Sequence, residues 1–183
     1  MPSKTETLAL IACLSACNVA FRFVLAGGPP NIKPVAFLVI VGGIVAGPIA
    51  GFGVGFLSMT LGDFTSPFGA GVWTMETSVC MGIIRLIAGF VWNKSLSFNR
   101  WRLAVAGFIL TAFFDIATSV TDALLYGYPW FPAVLALYVP FMPGNQSLYP
   151  FGFVHELTTA VLLGTIGPSL IRQVRKVYRQ EYE

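Results

Sequence analysis

Charge is what this sequence has least of. Of 183 residues only 10% are Asp, Glu, Lys or Arg, against 56% hydrophobic residues and a mean hydropathy of +0.76. A soluble domain of this length has no core large enough to hide that much apolar surface, so an integral membrane protein is expected. There is one histidine, which excludes paired imidazoles. The three cysteines, Cys13, Cys17 and Cys80, are odd in number, lie in apolar stretches and form no CxxC pair, which argues against a disulfide framework or a zinc site. GxSxG, HExxH and a Walker phosphate loop are also absent, so no hydrolytic constellation is present and ATP is not hydrolysed by the usual loop. A non-enzymatic protein without cofactor, resident metal or nucleic-acid partner is the expectation. With no repeat and no polar domain, residues 1–183 read as a single transmembrane domain.

The few charges are informative by position. Lys94, Arg100 and Arg102 form one basic patch, and Arg172, Arg175, Lys176 and Arg179 another; such patches stay on the cytoplasmic side. Thr7 to Gly27 is long enough to span a bilayer and is stopped by Gly27-Gly28-Pro29-Pro30. Leu14-Ser15-Ala16-Cys17 has the form of a lipoprotein cleavage box. It lacks a basic leader and the apolar sequence continues beyond it, so a retained first helix is expected. Val35 to Gly62 carries no charge and would be roughly 42 Å long as one helix, too long for one upright span and short for two. Parity decides between them. If Lys4 and both basic patches share one side, this stretch must cross twice, turning near Gly47-Pro48, with Gly43, Gly47, Gly51 and Gly55 allowing close packing. The expectation is an all-α membrane protein of six helices, approximately 7–27, 35–46, 48–63, 72–92, 103–127 and 151–171. Both termini are cytoplasmic, in the plasma membrane. A long extracellular loop, Tyr128 to Pro150, joins helices 5 and 6 and reads as a lid, its proline density forbidding a full span.

Charged side chains within a membrane are costly, so they usually face a cavity or a partner. Most of them here share a depth near the outer leaflet: Arg22 on helix 1, Asp63 on helix 3, Glu76 on helix 4, Asp122 on helix 5, and His155 and Glu156 on helix 6. Each alone is compatible with snorkelling to water; as a set they point to one polar cup, with Asn31 at its edge. Trp73, Glu76, Thr77 and Cys80 fall on one face of helix 4, and Asp115, Ser119 and Asp122 on one face of helix 5. Arg85 and Asp115 lie near mid-membrane, where a buried ion pair is expected rather than substrate contact. Cys80 offers a soft metal ligand and His155 an imidazole, although a lone membrane cysteine more often only packs. Ala12, Ala16 and Ala20 recur every four residues on helix 1, a smooth stripe on which a helix of the same molecule or of a partner can pack.

With that AxxxA stripe, six helices, both termini inside and no ATPase motif, the chain resembles the substrate-binding S-component of an energy-coupling factor (ECF) transporter. Pro30-Asn31-Ile32-Lys33-Pro34, Gly47-Pro48 with Gly51-Phe52 and Gly55, and Trp73-Thr74 are similar to the cobalamin-type branch, although Gly71-Val72 stands where that branch has Gly-Pro. The resemblance implies capture of a vitamin-sized solute, cobalamin or a related corrinoid, in an outward-facing pocket drawn from Arg22, Asn31, Asp63, Trp73, Glu76, Cys80, Asp122, His155 and Glu156. On this reading Cys80 or His155 is an axial ligand of a bound corrinoid. It also implies docking through Ala12 and Ala16, with Ala20 in line, on a transmembrane coupling subunit that works with two cytoplasmic ATPases, and toppling in the lipid to release the solute. Two readings from other classes stand beside it. One is a small membrane enzyme acting on a lipid-linked substrate through Asp63, Glu76 or His155; the other is a small channel built on the glycine stripe.

Overall fold

A computed structural model describes residues 3–25, 32, 34–66, 69–92, 98–141 and 148–179. Among these the chain is all helix: α1 (Lys4–Val24), α2 (Val35–Ala46), α3 (Pro48–Phe64), α4 (Val72–Trp92), α5 (Arg100–Tyr126), α6 (Trp130–Tyr138), α7 (Phe151–Thr165) and α8 (Gly167–Arg179). Successive long helices alternate in direction. The start of α1, the ends of α2 and α4, the start of α5 and all of α8 therefore gather at one end of the bundle, which carries Lys4, Arg100, Arg102, Arg172, Arg175, Lys176 and Arg179. By length and composition α1, α4 and α5 can each cross a membrane, and α7 with α8 form a fourth such unit bent by 61°.

The centre of the bundle is α2. It is apolar on every side, with no polar face to turn outward, and a helix of that kind belongs inside. Every residue from Val35 to Val45 except Leu38 is buried, and α1, α3, α4, α5, α7 and α8 all touch it. At 12 residues it is short, and enclosure by the other helices explains how so short an apolar helix is accommodated.

Packing of α2 against α3 and α4 depends on glycine. Gly47 joins α2 to α3 with φ 90° and ψ 175°, a conformation that side chains with a Cβ avoid, and Pro48 starts α3 where its missing N–H is harmless. A Cβ on Gly43 would stand 2.6 Å from the Arg85 carbonyl oxygen, and one on Gly55 2.6 Å from that of Met81. Helix backbones this close need a residue without a side chain.

The ends of several elements differ from the expectation for local reasons. α1 begins at Lys4 rather than Thr7 because Ser3 and Glu6 form a capping box. α5 begins at Arg100 rather than Leu103 because the Asn99 side chain accepts from the Trp101 and Arg102 N–H groups, and it stops at Gly127, which is left-handed. The single final helix expected over 151–171 is instead broken at Ile166, where Gly167-Pro168 interrupts the hydrogen-bond ladder. α8 then turns across the basic end. Its Arg175 donates to the carbonyl oxygens of Ile44 at 3.1 Å and Trp92 at 2.8 Å, closing the C-termini of α2 and α4. Within the segment expected as an extracellular loop, α6 packs Ala136 and Leu137 inward, and Gly152 of α7 makes room for Leu137.

The expected Arg85–Asp115 ion pair does not form. Arg85 is fully buried beside α2 and α3, where it donates only Nη2–H to the Ala36 oxygen at 3.4 Å; Nε and Nη1 have no partner. Asp115 faces α7 instead, where His155 occupies it. Ala12, Ala16 and Ala20 are all exposed, so the stripe on α1 is not used for packing within the molecule.

Candidate functional site

The polar groups of the end opposite the basic patches are built up from three helix seams. Along α1 and α3, Ser15 bonds the Val54 oxygen at 3.5 Å, Asn18 bonds Ser58 at 3.1 Å, and Arg22 Nη2 reaches Asp63 Oδ1 at 2.6 Å. Arg22 lies in the last turn of α1, where the helix dipole favours a cation. Gly62 leaves it space to cross, since a Cβ there would stand 2.7 Å from its stem. The Asp63 side chain is 6% exposed and that of Arg22 21%.

The second seam joins the first turns of α4 to the last turns of α5. Glu76 and Asp122 face one another there within hydrogen-bond reach, with Thr121 beside Glu76. Glu76 Oε1 and Asp122 Oδ1 are buried without a hydrogen-bond partner. Cys80, one turn below, senses both acids. Just past the left-handed Gly127, Tyr128 shares a wall with Asp122, and its phenol is held above its ordinary range first by partial burial and then by the charges of Asp122 and Glu76.

The third seam is α5 against α7. Gly107 lies against Leu163 and Asp115 bonds His155 Nδ1 at 2.9 and 3.0 Å, so antiparallel register sets Thr111 opposite Thr159 between them. The Thr111 and Thr159 hydroxyls are buried without a partner. One helix turn above, α6 leans in and Tyr138 donates to Glu156 Oε1 at 2.6 Å. Burial, and then that bond, keeps the Tyr138 phenol above its ordinary range, so it remains a donor.

Between the seams lie two cavities, each about 630 Å³. The first is walled by Arg22, Met59, Asp63, Trp73, Thr77, Asp122, Tyr126 and Tyr128 among others. The second lies under α6 and is walled by Asp115, Thr118, Ser119, Asp122, Tyr128 and apolar residues of α6. Asp122 and Tyr128 belong to both and form the partition. The structure therefore brings Arg22, Asp63, Trp73 and Asp122 to a cavity wall, with Glu76 directly behind Asp122. Cys80, His155 and Glu156 are set back from the walls: His155 is turned to Asp115 and Glu156 to Tyr138. Asn31 lies outside the described residues.

Two features had no clear sequence signal. Tyr126 and Tyr128 straddle a helix end that Gly127 alone marks, and nothing in spacing assigns them to a cavity. The Asp115–His155 pair depends on α5 and α7 meeting in one register, although both residues stood out as rare ionisable groups in apolar sequence.

The family model described as ECF-type riboflavin transporter, S component, matches residues 3–176. The chain belongs to this family. A UPF0397 protein of Lacticaseibacillus casei (strain BL23) is 26% identical over 125 residues, which is 68% of this chain and 62% of that relative; the match thus spans less than two thirds of the relative's length. As an S-component family member this chain is a multi-pass membrane protein, and its polar cavities open at the end of the bundle opposite the basic patches. Membership agrees with the resemblance to ECF S-components; the cobalamin-type branch is not the one matched.

Proposed function

We propose that the chain is the substrate-binding subunit of an ECF-type importer. It captures a vitamin-sized solute in the cavities divided by Asp122 and Tyr128, then delivers it by docking through the exposed Ala12, Ala16 and Ala20 face of α1 on a transmembrane coupling subunit driven by two ATPases. The observation that carries the reading is the first cavity, whose walls come from four different helices and whose charged and aromatic side chains converge on about 630 Å³, within the range of sites for drug-sized ligands. Positive-inside orientation sets the basic end in the cytoplasm and the cavities outside, with six antiparallel runs of helix crossing the bilayer.

Arg22, Asp63, Trp73, Asp122 and Glu76 are the contacts proposed for the solute. A flavin-sized ring system is accommodated by one cavity; a corrinoid requires the partition to open so that the two become one, with Cys80 or His155 reaching its metal only after leaving their present neighbours. α6, with Trp130 and Phe131 exposed, serves as the cover over the second cavity.

Ala16→Trp tests the division of labour. The expected result is loss of uptake in cells together with undiminished solute binding by the purified chain. Loss of binding with complex formation intact counts against the docking role of α1.

A further inference from the structure

We infer that the solute taken at this site is a cation, a compound with a protonated or quaternary nitrogen on or beside an aromatic ring. The inference rests on the proposed function and names the chemistry of its ligand. It comes from the charge balance of the cavity walls. Arg22 is engaged by Asp63, and His155 by Asp115. One is an ion pair and the other a hydrogen-bonded pair, and among the described residues of the site neither leaves a basic group for Glu76 or Asp122. Two carboxyls within hydrogen-bond reach of one another hold one proton between them, and the pair still carries a negative charge for which the site supplies no cation.

A second observation is independent of that pair. Asp63, nine-tenths buried on the wall of the first cavity, uses Oδ1 for Arg22 and leaves Oδ2 buried with no partner. Carboxylate oxygens in that state call for a donor, and a charged donor forms the stronger bond. The aromatic lining fits the same guest. Trp73, Tyr126 and Tyr128 surround the space next to Asp122, and aromatic faces attract a desolvated cation. Asp63 already has Arg22 for its charge, but an anionic solute meets repulsion from the Asp122–Glu76 pair, and a neutral ring system leaves that pair's charge unmatched.

The test uses the full-length chain, purified in detergent, with three probes: thiamine as a permanently cationic heteroaromatic, riboflavin as a neutral one and riboflavin 5′-phosphate as an anionic one. Thiamine is expected to bind most tightly. The Glu76→Gln, Asp122→Asn double variant is expected to keep its melting temperature without ligand and to bind thiamine about 30-fold less tightly, as loss of charge-assisted contacts implies. Unchanged thiamine affinity in that variant, or tighter binding of riboflavin or its phosphate to the unaltered chain, overturns the inference and leaves the proposed function standing. If no probe binds, the solute extracted from freshly purified protein is identified by mass spectrometry. A cationic compound supports the inference and a neutral or anionic one overturns it. Absence of any solute then removes the capture site itself, and both readings fall.

Discussion

The two sides of the bundle are packed by opposite means. Where α3 lies against α2 and α4 the contact is made by backbone: Gly43, Gly51 and Gly55 bring carbonyls to within reach of a Cβ that is not there. Where α5 lies against α7 glycine serves the deep end, at Gly107 against Leu163; above it polar side chains, Thr111 and Thr159 and then Asp115 with His155, line the seam, which widens into a cavity beneath α6. Along the glycines of α2 and α3 dispersion between close surfaces contributes the stability and no room is left for a guest; the first cavity opens only beyond them, where Met59 and Asp63 of α3 stand apart from Trp73 and Thr77 of α4. The seam of α5 with α7 keeps polar atoms inside the membrane region, a cost that is sensible only where something else uses them. Scaffold and site are thus segregated by depth within one small domain, the glycine contacts below and the cavities above them.

That contrast is broken most severely from the scaffold side. Gly55→Leu places side-chain atoms against the Met81 carbonyl and is expected to cost more than about 3 kcal/mol, since the backbone cannot move aside as a side chain would. The check is loss of monodisperse protein on size-exclusion chromatography. Arg22→Ala is next, because it leaves the buried Asp63 without its counter-charge; about 3 kcal/mol is expected, and Asp63→Asn in the same chain should restore part of the melting temperature. Asp115→Ala should cost about 2 kcal/mol, with a double-mutant cycle against His155→Ala revealing coupling between them. Tyr138→Phe removes a single donor to Glu156 and is expected to cost about 1 kcal/mol, read in the same thermal melt. Thr111→Val and Thr159→Val should be the mildest, neutral or slightly stabilising, because neither hydroxyl has a partner to lose.

How much of this was legible in the sequence varies with the range of the interaction. The break at Gly47-Pro48 is a local feature, and charge parity forces the chain to turn there, so the α2–α3 hairpin can be read directly. The central position of α2 cannot: an all-apolar run of that length looks alike whether lipid or protein surrounds it. The bend at Ile166 was hidden because Val161 to Ile171 stays largely apolar across Gly167-Pro168 and hydropathy averages over the two residues that matter. Side-chain pairing is harder still. Arg85 and Asp115 share a depth, which made them natural partners, yet depth says nothing about direction around the helix axis; Asp115 points to α7 and Arg85 to α2. The convergence of Arg22, Asp63, Trp73 and Asp122 was legible as a common level in the membrane, whereas the second cavity on the far side of Asp122 and Tyr128 required the turn after α5 to be in place.

The central claim is that capture at one end and docking along α1 are separate. The most direct measurement is the amount of solute retained by purified Asp122→Asn and Ala16→Trp proteins, quantified by mass spectrometry against the unaltered chain. The account predicts that Asp122→Asn loses most of its solute and Ala16→Trp retains it in full. Equal retention by all three, or loss in Ala16→Trp alone, contradicts it.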